Sequence, residues 1–444
     1  MEIKNGVQKK SSRKEFTIRD APLTTKFENS EDGKTIYNIF VVIFAILLMY
    51  SGFDEYTKTG KVRLSLHLIW IGFKKLDLAI LFWFISNTLA CLSYACFKFW
   101  AKVRPTLEPE GQKVWDKIWI TISFLYYFYF LYGLQTLGHT VKFGKSSATF
   151  IFVEQVRLLM KQHAFIRTNI PRVLLVKMHT ETNLQLPNFG KFLYFMFAPT
   201  MIYRDEYPRT PQIRWNFVFY NIAEIFAVLW FSAIVMDRFL VSTFQDICLR
   251  QFALGEIITP IFTNVVPGLT FTLFSCYVVL HAFQNAFAEV LRFGDRMFYK
   301  EWWNSKSLAD YHRTWNILVQ DWLYTYVYKE VYEVIIPKNK QAASFVVFLL
   351  SAVVHEWTMI NVFRFFLPIN LIIFLTTGAV FGAMGILGAQ WGNLLFLYGL
   401  AIGLSIEANL FALESYAHDN CPLNENVTSM EFYIPRFITC GCIK

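Results

Sequence analysis

Charge is scarce in this 444-residue chain: Asp, Glu, Lys and Arg make up 17% of it, against about a quarter in ordinary soluble domains. That shortage argues against a soluble chain of two or three domains, and the placement of the apolar residues agrees. They form 55% of the sequence and gather in long blocks nearly free of charge, as lipid-solvated segments do. Other absences narrow the field. Residues 1–35 mix Lys9, Lys10, Arg13 and Lys14 with Glu28, Glu31 and Asp32; they lack the apolar core of a cleavable signal peptide and are expected to form a disordered cytosolic tail. No Gly-x-Ser-x-Gly elbow is found, which leaves a serine hydrolase unsupported. The net charge of +9 resides in the connections between apolar blocks, where it reports orientation and lipid head groups, not nucleic acid.

A helix crosses a bilayer with about 20 apolar residues, at about 1.5 Å per residue. Candidate spans run 36–53, 76–100, 117–137, 215–240, 258–292, 341–363, 369–388 and 392–416. The stretch 146–161 carries Glu154 and Arg157, unsuited to lipid but acceptable inside a bundle. Counting it predicts an all-α polytopic membrane protein with about nine transmembrane helices over 36–416. Pro260 and Pro267 are expected to kink the long block 258–292.

Residues 161–214 hold eight Lys or Arg against three acids, and 292–340 is also basic. The positive-inside rule puts these connections and the N-terminus in the cytosol, and the acidic tail 417–444 in the lumen, which requires an odd number of spans. The tail carries the glycosylation pattern Asn426-Val427-Thr428. Cys91, Cys96, Cys248 and Cys276 read as small buried hydrophobes. In an oxidising lumen Cys421 paired with Cys440 closes a loop worth roughly 3 kcal/mol, with Cys442 as a competing partner.

Two features invite chemistry. The run Gln341 to Val354 has no charge, and His355-Glu356 interrupts it near mid-span. A polar group there serves as a structural bond between helices, lines a water-filled cavity, or functions. Ser351 shares the face of His355, whereas Glu356 points elsewhere, toward another span. Desolvation favours a neutral imidazole, which suits removal of a proton from an alcohol. The other seven histidines are scattered, so zinc has no ligand pattern and no metal is expected. The second feature is Phe298-Tyr299-Lys300-Glu301-Trp302-Trp303-Asn304, just after a span and among Arg292, Arg296, Arg313, Lys329 and Lys340. An interfacial belt explains Trp and Tyr in general. Aromatic faces beside cations also suit phosphates joined to a flat base, of which coenzyme A is one example.

The run from Phe293 to Asn304 closely resembles the signature of sterol O-acyltransferases, within the membrane-bound O-acyltransferase family. Arg313-Thr314-Trp315-Asn316, Asp321-Trp322-Leu323-Tyr324, Ser351 to Glu356 and Cys421-Pro422-Leu423 are also similar to that family. The resemblance implies the fold of that family, nine spans, and residence in the endoplasmic reticulum membrane. It implies transfer of a fatty acyl group from acyl-CoA to a membrane sterol such as cholesterol, without a further cofactor, by a homodimer or a dimer of dimers. His355 would be catalytic and Asn316 would assist it. Acyl-CoA would contact the signature residues Phe298, Tyr299, Trp302, Trp303 and Asn304, with Arg313, Trp315, Tyr328, Lys340 and Ser351. Three positions depart from the family: Glu301 for Asp, Trp357 for Tyr, and Gln320 for a second histidine. Gln320 cannot titrate near neutrality. A diacylglycerol acyltransferase is the alternative, and a non-catalytic lipid transporter or receptor a more distant one.

Overall fold

A computed structural model describes residues 14–175, 185–374, 392–422 and 433–443. Among the described residues the secondary structure is helical, apart from isolated β-bridges. The helices run α1 Glu31–Thr59, α2 Leu66–Gly72, α3 Leu76–Val103, α4 Pro109–Val141, α5 Lys145–Leu174, α6 Phe189–Phe197, α7 Trp215–Val235 and α8 Ser242–Phe244. They continue as α9 Leu254–Thr263, α10 Val265–Cys276, α11 Phe283–Val290, α12 Leu308–Thr314, α13 Ile317–Leu323 and α14 Lys340–Phe363, and a long helix occupies Gly392–Asn420. Among the described residues, six helical stretches are long and apolar enough to cross a membrane: Glu31–Thr59, Leu76–Thr106, Trp215–Phe244, Val265–Val290, Lys340–Phe363 and Gly392–Asn420. The molecule is therefore an all-α polytopic membrane protein with at least six apolar helices. The expected span 369–388 lies mostly outside the described residues, as does the Asn426 sequon.

Local chemistry sets the helix ends. Ser30 caps α1 by accepting from Gly33 N–H at 3.0 Å, and Gly60 ends it at φ 68°. The long block 258–292 does more than kink. It breaks at Asn264 between α9 and α10, because Pro267 has no N–H for the Thr263 carbonyl. At the break the Asn264 side-chain amide donates to Asn409 Oδ1 at 2.8 Å. The expected short span 146–161 is part of the 30-residue α5. Its charges are satisfied inside the protein: Arg157 pairs with Glu154 at 2.5 Å, and the buried Lys161 ammonium donates to the Phe195 and Ala198 carbonyls at 2.6 Å.

Two expectations need correction. The tail is not disordered up to residue 35. Residues 14–20 lie as a strap across the chain after α11: Arg19 N–H donates to Gly294 O at 2.9 Å, Arg296 N–H returns a bond to Arg19 O at 3.0 Å, and Phe16 packs on Phe293. Cys248 is not a free apolar residue. The C-terminal segment folds back on residues 247–252, with Phe252 N–H bonded to Cys442 O at 2.8 Å, and this brings Cys442 to Cys248 with Cα atoms 4.4 Å apart. Cys421 is bonded to Cys440, while Cys91, Cys96 and Cys276 are free. Denatured protein should titrate three thiols before reduction and all seven after it. Seven before reduction would remove both bridges.

Candidate active site

The expected signature begins where the strap meets the chain after α11. Gly294 sits where a Cβ would meet the Pro208 carbonyl oxygen and Ile18 at 3.0 Å, so a side chain there would press these three segments apart. Asp295 accepts from Arg19 at 2.7 Å. Beneath the loop, the fully buried Glu289 carboxylate receives Arg214 N–H at 2.7 Å and the buried Arg296 guanidinium at 2.5 Å. A desolvated carboxylate bonded to two arginines fixes the backbone on either side of it.

Phe298 and Tyr299 differ from the expected ligand surface. Phe298 is 0% and Tyr299 2% exposed, and the Tyr299 hydroxyl bonds His281 Nδ1 at 2.6 Å. Residues at these positions hold the loop from below, because the backbone turns both rings into the core. Trp302, Trp303 and Asn304 form the next turn. Asn393 ties that turn to the helix Gly392–Asn420 by donating to the Trp303 and Ser305 carbonyls at 2.9 and 2.8 Å. Asn304 bonds Glu301 at 3.0 Å, and Glu301 in turn pairs with Lys26, which holds its carboxyl below the usual range.

Trp302 and Trp315 come together: their centroids are 6.1 Å apart, and Tyr311 stacks on Trp315 at 5.5 Å. Phe396 closes the cluster against Tyr311 at 5.3 Å. Arg313 is exposed and bonded to Asp310 at 2.9 Å. Tyr328 stacks between Tyr324 and Tyr332, at 5.5 and 5.9 Å. Lys340 opens α14 on the exposed surface. Asn316 caps α13, its side-chain oxygen accepting from Val319 N–H at 3.2 Å, which leaves its amide hydrogens for another partner.

On α14 the His355 ring is exposed on an open flank, not packed in the core. Its Nδ1 lies 2.7 Å from the Ser351 carbonyl oxygen. A carbonyl only accepts, so Nδ1 donates, and in the neutral ring the lone pair lies on Nε2. No hydrogen bond joins His355 to Asn316 among the described residues. Glu356 points away, as expected, and accepts from Leu371 N–H at 3.3 Å.

A family model for MBOAT, the membrane-bound O-acyltransferase family, matches residues 111–402. The chain belongs to this family. Mouse sterol O-acyltransferase 1 is 33% identical over 437 residues, covering 96% of this chain and 79% of the relative. Human sterol O-acyltransferase 2 is 33% identical over 434 residues, covering 96% and 80%. As a membrane-bound O-acyltransferase the chain is an enzyme.

Sequence reading of this membrane-bound O-acyltransferase missed His312. The fold sets it 5.4 Å from Phe348 on α14 and 5.9 Å from Phe374, a ring that also packs on His355 at 5.2 Å. Burial, then the nearby His355, push the His312 imidazole down to about 4, so it is neutral at physiological pH. Tyr311 and Trp315 carried a readable signal, the i, i+4 spacing of two aromatics on one helix face. His312 carried none.

Proposed function

We propose that the chain transfers a long-chain fatty acyl group from acyl-CoA to the hydroxyl of a membrane sterol, producing steryl ester and free CoA. The observation that carries this reading is the likeness to sterol O-acyltransferases over almost the whole chain, 33% identity across 96% of it. His355 acts as general base. The sterol oxygen attacks the thioester carbonyl carbon while its proton passes to Nε2 of His355. The C–S bond then breaks, and the imidazolium returns the proton to the departing thiolate. Asn316 orients the reactants or stabilises the developing oxyanion. No acyl-enzyme is required, because the thioester is already activated and positioning with one base suffices.

CoA lies against Trp302, Trp303, Asn304, Arg313, Trp315, Tyr328 and Lys340, with Ser351 beside the base and Phe298 and Tyr299 supporting from below. The Trp302–Tyr311–Trp315 cluster supports a stacking role. The reading includes nine spans over 36–416, a cytosolic N-terminus, a lumenal tail over 417–444, the endoplasmic reticulum membrane, and a homodimer or dimer of dimers. The Cys248–Cys442 and Cys421–Cys440 bridges support a lumenal tail, since such bonds persist in an oxidising compartment.

Membranes holding the protein, given labelled oleoyl-CoA with cholesterol or with diacylglycerol, should yield labelled steryl ester. Labelled triacylglycerol in its place would move the enzyme to the diacylglycerol branch. No consumption of acyl-CoA with either acceptor would end the transfer reading.

A further inference from the structure

We propose that His312 is a second imidazole of the acyl-transfer site, donating a hydrogen bond to the thioester carbonyl oxygen while His355 takes the alcohol proton. This rests on the acyl-transfer reading above and adds a residue to it. Three observations carry it. First, His312 and His355 pack on the same ring, Phe374, at 5.9 and 5.2 Å. Second, His312 stands 5.4 Å from Phe348. Phe348, Ser351 and His355 follow each other at three and four residues along α14, so they share one helix face, and His312 approaches that face. Third, neither ring nitrogen of His312 has a hydrogen-bond partner among the described residues, although the ring is only partly accessible. The large majority of buried polar side-chain atoms have a partner, and the ring nitrogens of this half-buried histidine are open to a ligand.

The surroundings favour a neutral donor. From α14 the titratable group facing His312 is His355. On its own helix Arg313 is bonded to Asp310, and Cys276 and Glu407 face the adjacent Tyr311. With its imidazole held neutral by burial and by His355, His312 keeps one N–H to donate and does not compete for the alcohol proton. As the sterol oxygen bonds to the carbonyl carbon, negative charge gathers on the carbonyl oxygen, and the N–H stabilises it. When the C–S bond breaks and the thiolate takes the proton from His355, His312 is left unchanged.

His312→Phe keeps a flat ring and removes the N–H, and His312→Gln restores a donor. CoA release from membranes is measured with cholesterol and, separately, with diacylglycerol. His312→Phe should lower kcat about 10²-fold with the KM for oleoyl-CoA within about twofold of the parent. His312→Gln should recover about tenfold over His312→Phe by returning a donor. A His312→Phe kcat near that of the parent, or no recovery in His312→Gln, overturns the proposal. If His312→Phe does not accumulate, His312→Ala takes its place against His312→Gln with the same outcomes. A wrong acceptor shows itself separately, as activity shifted to diacylglycerol in the parent with the His312 effect intact. A parent that releases no CoA with either acceptor overturns both readings.

Discussion

Changing His355 to Ala is expected to lower ester formation by about 10³-fold or more, within the usual contribution of one general base, while the protein accumulates at the parent level. Accumulation follows from the exposure of the ring: little packing is lost, and the Ser351 carbonyl that Nδ1 touches also belongs to the helix. His355→Gln separates chemistry from placement. Its amide can donate to the same carbonyl but has no basic nitrogen, so it should be as inactive as the Ala variant. Steryl ester formation assayed in membranes, normalised to protein, decides this. Retained turnover in either variant would remove His355 from the chemistry.

Glu289→Ala is expected to produce the largest loss of stability. The carboxylate is fully buried and receives both Arg214 and the buried Arg296. Removing it strands the Arg296 charge, which costs about 3–5 kcal/mol when one partner of a buried pair is lost. Against a typical total of roughly 5–15 kcal/mol that is a large share. The folded fraction in detergent extracts and the midpoint of thermal unfolding should both fall sharply. Arg214→Ala should do less, because its guanidinium side is 48% exposed and water solvates what remains. An unchanged midpoint for Glu289→Ala would show that the loop is held by other contacts.

What could be read from the sequence was what is local. Long apolar blocks announce α1, α3, α7 and α14, because a bilayer imposes length and hydropathy on each span by itself. α5 runs on past residue 161, the end of the expected short span, and carries Lys161 and Gln162 inside the protein. Their partners, the carbonyls of Phe195 and Ala198 and the Tyr126 hydroxyl, lie far along the chain. The aromatic density of the signature was plain, but composition does not say which way a ring turns, and Phe298 and Tyr299 turn inward. His312 looked like one of several scattered histidines, since its nearness to His355 arises only when its ring reaches Phe348 on α14. Cys248 was misread for the same reason: its partner lies 194 residues away.

The strap over residues 14–20 has a consequence for how the enzyme is made. Arg19 and Asp295 are separated by 276 residues. At roughly 5–20 residues per second, synthesis takes from about a quarter of a minute to one minute to cover that interval. Throughout it the first docked segment waits at the membrane surface without its partner, while one span after another is inserted. A ribosome halted before residue 295 therefore holds helices already in the bilayer but no finished signature loop. The signature loop acquires its shape only when the strap meets residues made much later, and α14 with His355 is made later still.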